Sequence, residues 1–266
     1  MNLMSKPWEG YYPPFKIIGN VYFVGTVPAS THVIDTGDGL ILIDSGYLES
    51  LYLVLHNMYK IGLDPMNIKY IVHTHGHIDH FGATKALKEL TGAKTFLGRA
   101  DAPCAEGKVP LSYAPEYNMD FAGNFTPDVL LDDGSIIELG NAHIECVSTP
   151  GHTLGTTTFF FDVKEGEKTF HAALMGGIGV NTMRKEYLDK YGLSMQCRND
   201  FFASMDKIKD RNVDVYLGNH MHQNNTKEKA ERLRQGEEYA FVNPSEWHEA
   251  CENAKKKLLK EIEENG

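Results

Sequence analysis

The sequence has few cysteines and no long apolar run, and each shortage excludes a class of protein. Its four cysteines are too far apart for a Cys-x-x-Cys metal or redox motif and too few for a disulfide scaffold. No stretch is long and apolar enough to cross a bilayer, and the first ten residues lack the apolar core of a signal peptide. We therefore expect a cytoplasmic protein with buried free thiols and no membrane contact. The cysteines are Cys104, Cys146, Cys197 and Cys251.

An excess of positive charge is also missing. The 266 residues carry 26 lysines and arginines against 36 aspartates and glutamates, which gives a formal net charge of −10. A surface that follows nucleic-acid phosphates needs the opposite sign, so we expect no nucleic-acid partner. With 42% hydrophobic and 11% aromatic residues the chain can bury a sizeable core, which is typical of an enzyme that acts on a small molecule.

Histidine and aspartate are instead concentrated in one stretch, residues 70–82, which reads Tyr-Ile-Val-His-Thr-His-Gly-His-Ile-Asp-His-Phe-Gly. His75 and His77 are two residues apart, so their imidazoles point to the same side of an extended segment. Asp79 and His80 follow where the chain should turn into a helix, and adjacent side chains diverge there. One pair can therefore hold one ion while the other faces a second. Zinc suits imidazole and carboxylate best, with iron and manganese as alternatives.

Residues 70–82 also allow an alternative interpretation, and His73 needs an assignment of its own. A solvated histidine-rich loop is the alternative to a metal site, and the flanking strand and helix patterns disfavour it. His73 shares strand parity with His75 but lies one residue pair further back. We interpret His73 as structural, or as support for a ligand.

Short β-branched and apolar runs alternate with turns and amphipathic stretches along most of the chain. The predicted strands are 21–24, 32–36, 40–44, 68–74, 94–97, 129–131, 135–139, 142–148, 156–163, 168–175 and 213–217. The predicted helices are 48–61, 78–90, 201–209 after an Asn199-Asp200 cap, and one that begins at Asn243-Pro244-Ser245-Glu246. The opening strands should pair antiparallel, and the strand-helix alternation after them predicts parallel β-α-β units. Parallel strands place ligand sites at their carboxyl ends, where the histidine cluster falls.

Two loops have no regular pattern, 99–127 and 178–198. Aromatic residues recur every four positions in the first, but prolines interrupt any long helix. We favour packing of an irregular segment over a substrate wall, and a loop that covers the metals is a third reading. The aromatic residues are Tyr113, Tyr117, Phe121 and Phe125. In the second loop, Asn181, Thr182 and Ser194 are only neighbours by sequence, and we assign them no role.

Two later histidines also follow predicted strands. In Thr149-Pro150-Gly151-His152-Thr153, proline fixes one backbone angle and glycine frees the next, so the chain can swing His152 towards a metal. His220 follows strand 213–217, and His222 has the same parity. We prefer His220, because a residue directly beyond a strand is better anchored by the sheet.

The motif Thr74-His75-x-His77-x-Asp79-His80, with the distant Thr149-Pro150-Gly151-His152-Thr153, resembles the metallo-β-lactamase superfamily over about residues 15–222. The resemblance implies that His75, His77 and His152 hold one zinc ion and that Asp79, His80 and His220 hold a second. The fold expected is α/β, an αββα four-layer sandwich of two mixed sheets with outer helices. We expect a single metallo-hydrolase domain with halves at about 15–125 and 126–242 and a C-terminal helix over 243–264.

One departure from the family's usual pattern narrows the choice of subclass within the superfamily. Most of the superfamily, including glyoxalase II, lactonases and nucleases, places a metal-bridging aspartate near the end of the strand that corresponds to 168–175. Here the segment is Leu174-Met175-Gly176-Gly177-Ile178-Gly179, with no carboxylate. The three-histidine site and the aspartate-dihistidine site that remain are similar to third-subclass metallo-β-lactamases. Met175 is the expected equivalent of the missing bridge, and Gly177 is a further candidate for a contact near the metals or the substrate.

Asp44 resembles the family's aspartate near the metal rim and is expected to orient a ligand, although a strand-terminal turn aspartate explains it equally well. The resemblance favours a dizinc hydrolase whose metal-bridging hydroxide opens a cyclic amide, most like a β-lactamase, with Asp79 catalytic as well as metal-binding. Two such ions lower the pKa of a shared water from about 15.7 to roughly 7. The substrate is a small molecule with a hydrolysable amide or ester carbonyl. The alternatives are a lactonase or thioesterase and, in another class, a di-iron redox or non-catalytic member.

Overall fold

Short apolar runs separated by glycine turns build the first of two sheets in the computed structural model, which describes residues 5–266. Seven strands pair in sequence order, antiparallel from β1 to β4 and parallel from β4 to β7. Gly37 and Gly39 both have positive φ, 80° and 133°, and close the predicted tight hairpin between β3 and β4. The strands are β1 (Phe15–Ile18), β2 (Val21–Phe23), β3 (His32–Asp35), β4 (Leu40–Ile43), β5 (Ile68–Val72), β6 (Lys94–Gly98) and β7 (Val129–Leu131).

The second sheet has five strands in the order β12-β11-β10-β9-β8. Its pairs are antiparallel except β11 with β12, which run parallel. The strands are β8 (Ser135–Leu139), β9 (Ala142–Ser148), β10 (Thr157–Glu165), β11 (Lys168–Met175) and β12 (Val215–Gly218). Apart from β1, which was not predicted, the predicted strands differ from these by no more than two residues at either end.

Helices cover the outer face of each sheet. They are α1 (Leu51–Lys60), α2 (Ile78–Phe81), α3 (Thr84–Thr91), α4 (Ala102–Ala105), α5 (Lys185–Tyr191), α6 (Gln196–Ile208), α7 (Thr226–Arg234) and α8 (Glu246–Asn265). Between the sheets, Phe23 and Ile43 pack with Phe159 and Leu217. The layers are therefore helix, sheet, sheet and helix, as predicted. No helix among residues 5–266 is long and apolar enough to cross a membrane.

Alternation along the strands explains the layers. In β10, Phe159 and Phe161 face the other sheet, whereas Phe160 faces outward against Trp247 of α8, with ring centroids 5.5 Å apart. In β4, Leu42 packs with α1 and α3 on the outer face of the first sheet. Strands such as β4 and β10 are thus apolar on both faces, because one faces the sandwich interior and the other faces helices.

Some predicted helices were wrong in extent. The helix expected over 78–90 is two helices, because the Ala83 amide donates to the Gly46 carbonyl at 3.1 Å instead of continuing the helical ladder. The helix expected from Phe201 begins at Gln196, whose amide donates to Ser194 Oγ at 3.1 Å, so Asn199 lies inside it. The last helix begins at Glu246, after the predicted Asn243-Pro244 start. Helices α4, α5 and α7 were not predicted.

His32 on β3 gives a prediction about stability and pH. Its ring is buried, packs edge-on against Phe23 and has no hydrogen-bond partner for Nδ1 among residues 5–266. Burial lowers the pKa of His32 to about 4, although Asp44 opposes the shift. Between pH 6.5 and pH 4 the unfolded chain therefore binds a proton that the folded protein does not, so the free energy of unfolding falls as the pH falls.

The expected loss through His32 is roughly 3 kcal/mol by pH 4. We expect His32→Phe to remove this part of the pH dependence, measured as urea unfolding of the metal-free protein at several pH values. His143→Phe, at an exposed histidine, is the control and should keep the wild-type slope. Equal slopes for wild type and His32→Phe would contradict the prediction.

Candidate metal centre

Six side chains that the sequence singled out come together at one rim of the sandwich. His75 and His77 follow β5, and Asp79 and His80 lie on the short helix α2. His152 follows β9 and His220 follows β12, so the second sheet contributes a histidine to each side of the cluster. The strand ends bring together residues that are 145 positions apart between His75 and His220.

Three histidine nitrogens converge at the first side of the cluster. His77 Nδ1 lies 3.1 Å from His75 Nε2 and 3.1 Å from His152 Nε2. All three side chains are more than nine-tenths buried. These three residues, which we call the first triad, therefore form a compact set of donors able to hold a metal ion.

Hydrogen bonds to the outer ring nitrogens determine where the protons lie. Thr74 Oγ1 donates to Asp44 Oδ2 and so accepts from His75 Nδ1 at 3.0 Å. The Gly179 carbonyl can only accept, at 2.7 Å from His152 Nδ1. Both rings therefore carry their proton on Nδ1 and turn an Nε2 lone pair towards His77. Two lone pairs converging on one nitrogen fit a shared cation, and Nδ1–H bonds of this kind are typical of metal-binding histidines.

The other side of the cluster combines a carboxylate with imidazoles. Asp79 Oδ2 lies 3.1 Å from His80 Nε2 and 3.6 Å from His220 Nε2. The 3.1 Å contact lacks hydrogen-bonding geometry, so His80 Nε2 is buried without a hydrogen bond among the described residues. Donor atoms of Asp79 and His80 also lie within 4.8 Å of His75, which borders both groups. The Pro28 carbonyl accepts from His220 Nδ1 at 2.5 Å. We call Asp79, His80 and His220 the second triad.

Asp44 lies beneath the cluster and organises one histidine on each side. It accepts hydrogen bonds from the Thr74 amide and hydroxyl, both at 2.8 Å, and from His80 Nδ1 at 2.7 Å. Its φ of 58° places it in the left-handed region, which aspartate tolerates better than most residues. The carboxylate thereby holds the proton of His80 on Nδ1 and, through Thr74, that of His75.

The histidines of the first triad are held neutral. Burial lowers the pKa of His75 and His77 well below the usual value, and the neighbouring histidines lower it further. Burial also lowers the pKa of His152, to about 4. Neutral imidazole is the form that binds metals, so this side needs little deprotonation before an ion enters.

Asp79 and His80 show the opposite electrostatics. Burial opposes a charge on His80, but Asp79 and Asp44 outweigh it and raise the pKa of His80 to about 10. Burial likewise opposes a charge on Asp79, and the adjacent His80 holds the pKa of that carboxyl below its usual range. Without a metal, His80 is therefore cationic and Asp79 anionic at neutral pH. An ion that binds here must displace the proton from His80 Nε2, and Asp79 and Asp44 supply negative charge to it.

Sequence reasoning missed Asp101, which joins the two loops of the first triad. Oδ2 accepts from the Gly76 amide at 2.7 Å and from Thr153 Oγ1 at 2.6 Å, and Oδ1 accepts from the Gly155 amide at 2.7 Å. Cys104 adds a bond from Sγ to the Gly76 carbonyl at 3.0 Å. Asp101 stands in an irregular segment with no spacing motif, so the sequence offered no signal for it.

The end of β11 differs from the prediction. Met175 does not face the cluster; its side chain lies in the outer core beside Tyr216, whose hydroxyl is 3.9 Å from the Met175 sulfur. Leu174 faces the sandwich interior, so alternation sends Met175 the other way. Gly177 instead lies against His152, where an added Cβ would be 2.1 Å from the ring Cδ2 atom. Gly177 is thus the residue of this segment that borders the metal ligands.

Loops 99–127 and 178–198, which have no regular sequence pattern, also contribute residues to the site. Tyr113 and Tyr117 line the cavity of about 330 Å³ over the cluster, whereas Phe121 and Phe125 pack in a core cluster. The preferred interpretation, packing, is therefore right for the second pair only. In the other loop, Thr182 Oγ1 donates to the His152 carbonyl at 2.7 Å, a contact that the sequence did not predict.

The positions of two other candidate histidines, His73 and His222, fit secondary roles. His73 is structural, because its ring nitrogens contact the Phe96 carbonyl at 2.7 Å and Thr84 Oγ1 at 2.6 Å. His222, the rival of His220, lines the same cavity with its ring 5.6 Å from that of His220.

The chain is similar to a family and to several solved structures. The family described as "Metallo-beta-lactamase superfamily" matches residues 24–164, more than half of the chain. BJP-1, a subclass B3 metallo-beta-lactamase of Bradyrhizobium japonicum, has a TM-score of 0.88 at 28% identity and covers 99% of this chain and 98% of its own. Native FEZ-1 metallo-beta-lactamase from Legionella gormanii has a TM-score of 0.88 at 29% identity, over 96% and 97%.

Curated relatives match over shorter stretches. The probable metallo-hydrolase YflN of Bacillus subtilis is 26% identical over 161 residues, 54% of this chain and 57% of its own length. The hydroxyacylglutathione hydrolase GloC of Haemophilus influenzae is 30% identical over 115 residues, 43% of this chain and 54% of its own. The chain thus spans little more than half the length of these curated relatives.

Proposed function

The chain belongs to the metallo-beta-lactamase superfamily, and from that premise we propose that it is a dizinc hydrolase that opens a cyclic amide of the β-lactam type. The observation that carries the proposal is the first triad, in which three neutral imidazoles turn ring nitrogens towards one point at 3.1 Å separations. Tetrahedral zinc with bonds of about 2.0–2.1 Å needs nitrogens about 3.3 Å apart. The likeness to two subclass B3-like structures of 28% and 29% identity supports the same activity.

The assignment of ligands follows the geometry. His75, His77 and His152 would hold one ion, and Asp79, His80 and His220 the second. Three nitrogens suit zinc, and the carboxylate of the second triad balances part of the charge of a divalent ion. His80 Nε2 has no hydrogen bond among the described residues and faces Asp79 Oδ2 at 3.1 Å, so a cation on this side would bind both atoms.

The residues around the ligands orient them and shape the cavity. Two such ions, when bound, supply Lewis acidity and lower the pKa of a water molecule towards about 7. Asp44, the Gly179 carbonyl and the Pro28 carbonyl hold the outer imidazole nitrogens and so fix the ring planes. Tyr113 lies over His77, with ring centroids 5.4 Å apart, and reduces the access of bulk water to that side.

Asp79 has a second role in the proposal. Among the described residues that line the cavity it carries the only carboxylate. Its Oδ2 faces the space between His80 and His220, so it can accept a proton there from an attacking water. The substrate is a small molecule whose carbonyl fits over the cluster.

Thioester hydrolysis is the second candidate, because several relatives are named hydroxyacylglutathione hydrolases. The end of β11 favours the β-lactam reading, since Gly176 and Gly177 provide no carboxylate to bridge the ions. A substrate panel separates the two candidates. A chromogenic cephalosporin, a glutathione thioester and an acyl-homoserine lactone represent the cyclic amide, the thioester and the cyclic ester.

We expect two equivalents of zinc per chain and hydrolysis of the cephalosporin in preference to the thioester and the lactone. Chelation should abolish hydrolysis, and added zinc should restore it. His152→Ala should retain about one equivalent and lose activity at least a hundredfold, because a ligand is removed outright. His143→Ala, at an exposed histidine remote from the cluster, is the matched control and should retain both. A zinc-free protein that hydrolyses the substrate would refute the proposal.

A further inference from the structure

A second cavity, which we call the side chamber, lies beside the first triad. It has a volume of about 280 Å³. Its lining is mostly apolar and comes from the loop after α4, the His152 loop and helices α5 and α6. The residues that form its apolar surface are Leu111, Leu154, Tyr187, Leu188, Leu193 and Cys197.

The side chamber and the metal cavity share a wall. His77 and His152 line both. Tyr113 lines the metal cavity and stacks on Tyr187 of the side chamber, with ring centroids 5.9 Å apart and planes 23° apart. The chamber and the metal cavity are therefore adjacent at these two side chains.

Several polar groups of the chamber are already engaged. Asp101 is occupied by Thr153 and two backbone amides. Asp200 accepts from Gln196 Nε2 at 3.0 Å, and Ser194 Oγ accepts from the Gln196 amide at 3.1 Å. A polar ligand group would compete with these bonds, whereas an apolar group would displace water from a mostly apolar surface.

We propose that the side chamber binds an aryl-bearing arm of the substrate, so that the hydrolysed carbonyl belongs to a molecule with a bulky apolar substituent. This inference rests on the proposed function and names the substrate class more narrowly. An apolar cavity of about 150 Å³ is known to take one benzene ring, so a chamber of about 280 Å³ accommodates a phenyl group with its linker. A ring is favoured over a long flexible chain, because the chain loses more rotamer freedom on binding.

The test compares substrate pairs that differ only in the arm. Benzylpenicillin and 6-aminopenicillanic acid form such a pair, and phenylacetyl and acetyl versions of the thioester and lactone form others. Full burial of a phenyl group should raise kcat/KM between about tenfold and a hundredfold. We expect this preference in whichever class the wild-type protein hydrolyses.

Filling the chamber should remove the preference. Cys197 lines the chamber from α6, and Asn199 is an exposed residue of the same helix. Cys197→Trp should reduce the benzyl preference to less than about threefold, because it should lower kcat/KM for the benzyl substrate more than for the armless one. Asn199→Trp should behave as wild type. Leu193→Trp, in the turn before α6, fills the same space and serves if Cys197→Trp does not fold.

A binding measurement without zinc separates this inference from the proposed function. Saturation-transfer NMR of metal-free protein should detect phenylacetamide with wild type and Asn199→Trp and not with Cys197→Trp. If no substrate class is hydrolysed, the proposed function fails, and this measurement alone decides whether the chamber binds aryl groups. Equal benzyl preference in wild type and Cys197→Trp, or phenylacetamide binding that the filled variants retain, would overturn the inference.

Discussion

Asp101→Ala should weaken binding of the ion of the first triad and remove a substantial part of the protein's stability. The variant leaves the Gly76 and Gly155 amides and the Thr153 hydroxyl without their shared acceptor. The Thr153 hydroxyl can still pair with Thr156 Oγ1 at 2.8 Å, but each of the two buried amides left unpaired costs about 1–3 kcal/mol, so we expect a loss of at least about 2 kcal/mol. That is a large fraction of the roughly 5–15 kcal/mol that stabilises a typical domain.

The effect on metal binding has a separate cause. Gly76 lies between His75 and His77, and Thr153 follows His152, so one carboxylate sets the spacing of the two loops that carry the first triad. Loss of a group that orients metal ligands typically lowers affinity about 10- to 100-fold. Zinc titration of the folded variant should therefore show one tight and one weakened equivalent.

Two further variants sharpen the Asp101 test. Asp101→Asn keeps one acceptor oxygen and replaces the other with an NH₂ group, which cannot accept the hydrogen bonds on its side. Its loss of zinc affinity and of stability should therefore be intermediate. Asp132→Ala is the control for charge, because Asp132 is exposed and pairs with Arg99 on the surface. It should leave the free energy of unfolding close to the wild-type value, because solvent screens the exposed pair. Two tight equivalents of zinc in Asp101→Ala would show that the loops keep their spacing without the carboxylate.

Gly177→Ala should reduce kcat/KM about a hundredfold through a single methyl group. The new Cβ would lie 2.1 Å from His152 Cδ2 and 2.8 Å from Cγ, closer than any normal contact. Two hydrogen bonds restrain the His152 ring against such a shift, because Nδ1 donates to the Gly179 carbonyl and Thr182 donates to the His152 carbonyl. Displacing a catalytic group by about 1 Å costs about 10²-fold.

Gly177→Ala should leave the rest of the fold intact, so we expect at most about 1–3 kcal/mol of destabilisation from overpacking. Kinetics with the preferred substrate and zinc stoichiometry measure the effect. Ile178→Ala, at the next residue, is the matched control and should retain both zinc equivalents. Wild-type kcat/KM in Gly177→Ala would mean that His152 can tilt without losing its place in the triad.

Local pattern was enough to locate most of the candidate centre. The two-residue spacing of His75 and His77 and the turn into α2 at Asp79 and His80 are visible in the sequence, as is the strand before His152. The four-layer sandwich followed from two halves that each combine predicted strands with helices, with all the candidate ligands at strand ends. These features depend on residues close in sequence, which is why they were predictable.

The features that escaped prediction depend on contacts between distant residues. Asp101 is 25 positions from Gly76 and 54 from Gly155, and nothing in its own segment indicates either partner. The break between α2 and α3 comes from the Gly46 carbonyl, which captures the Ala83 amide. Met175 is the exception, because strand alternation already assigns its side chain to the outer face, and Gly177 could have been preferred on that ground.

Each triad draws two residues from the segment after β5 and one from the second sheet, His152 or His220. A cation bound by either triad would cross-link the two halves of the sandwich at the rim where the ligands lie. Zinc binding should therefore raise the melting temperature as the zinc concentration rises. It should also protect backbone amides near the ligands from hydrogen exchange more than amides within either half of the sandwich.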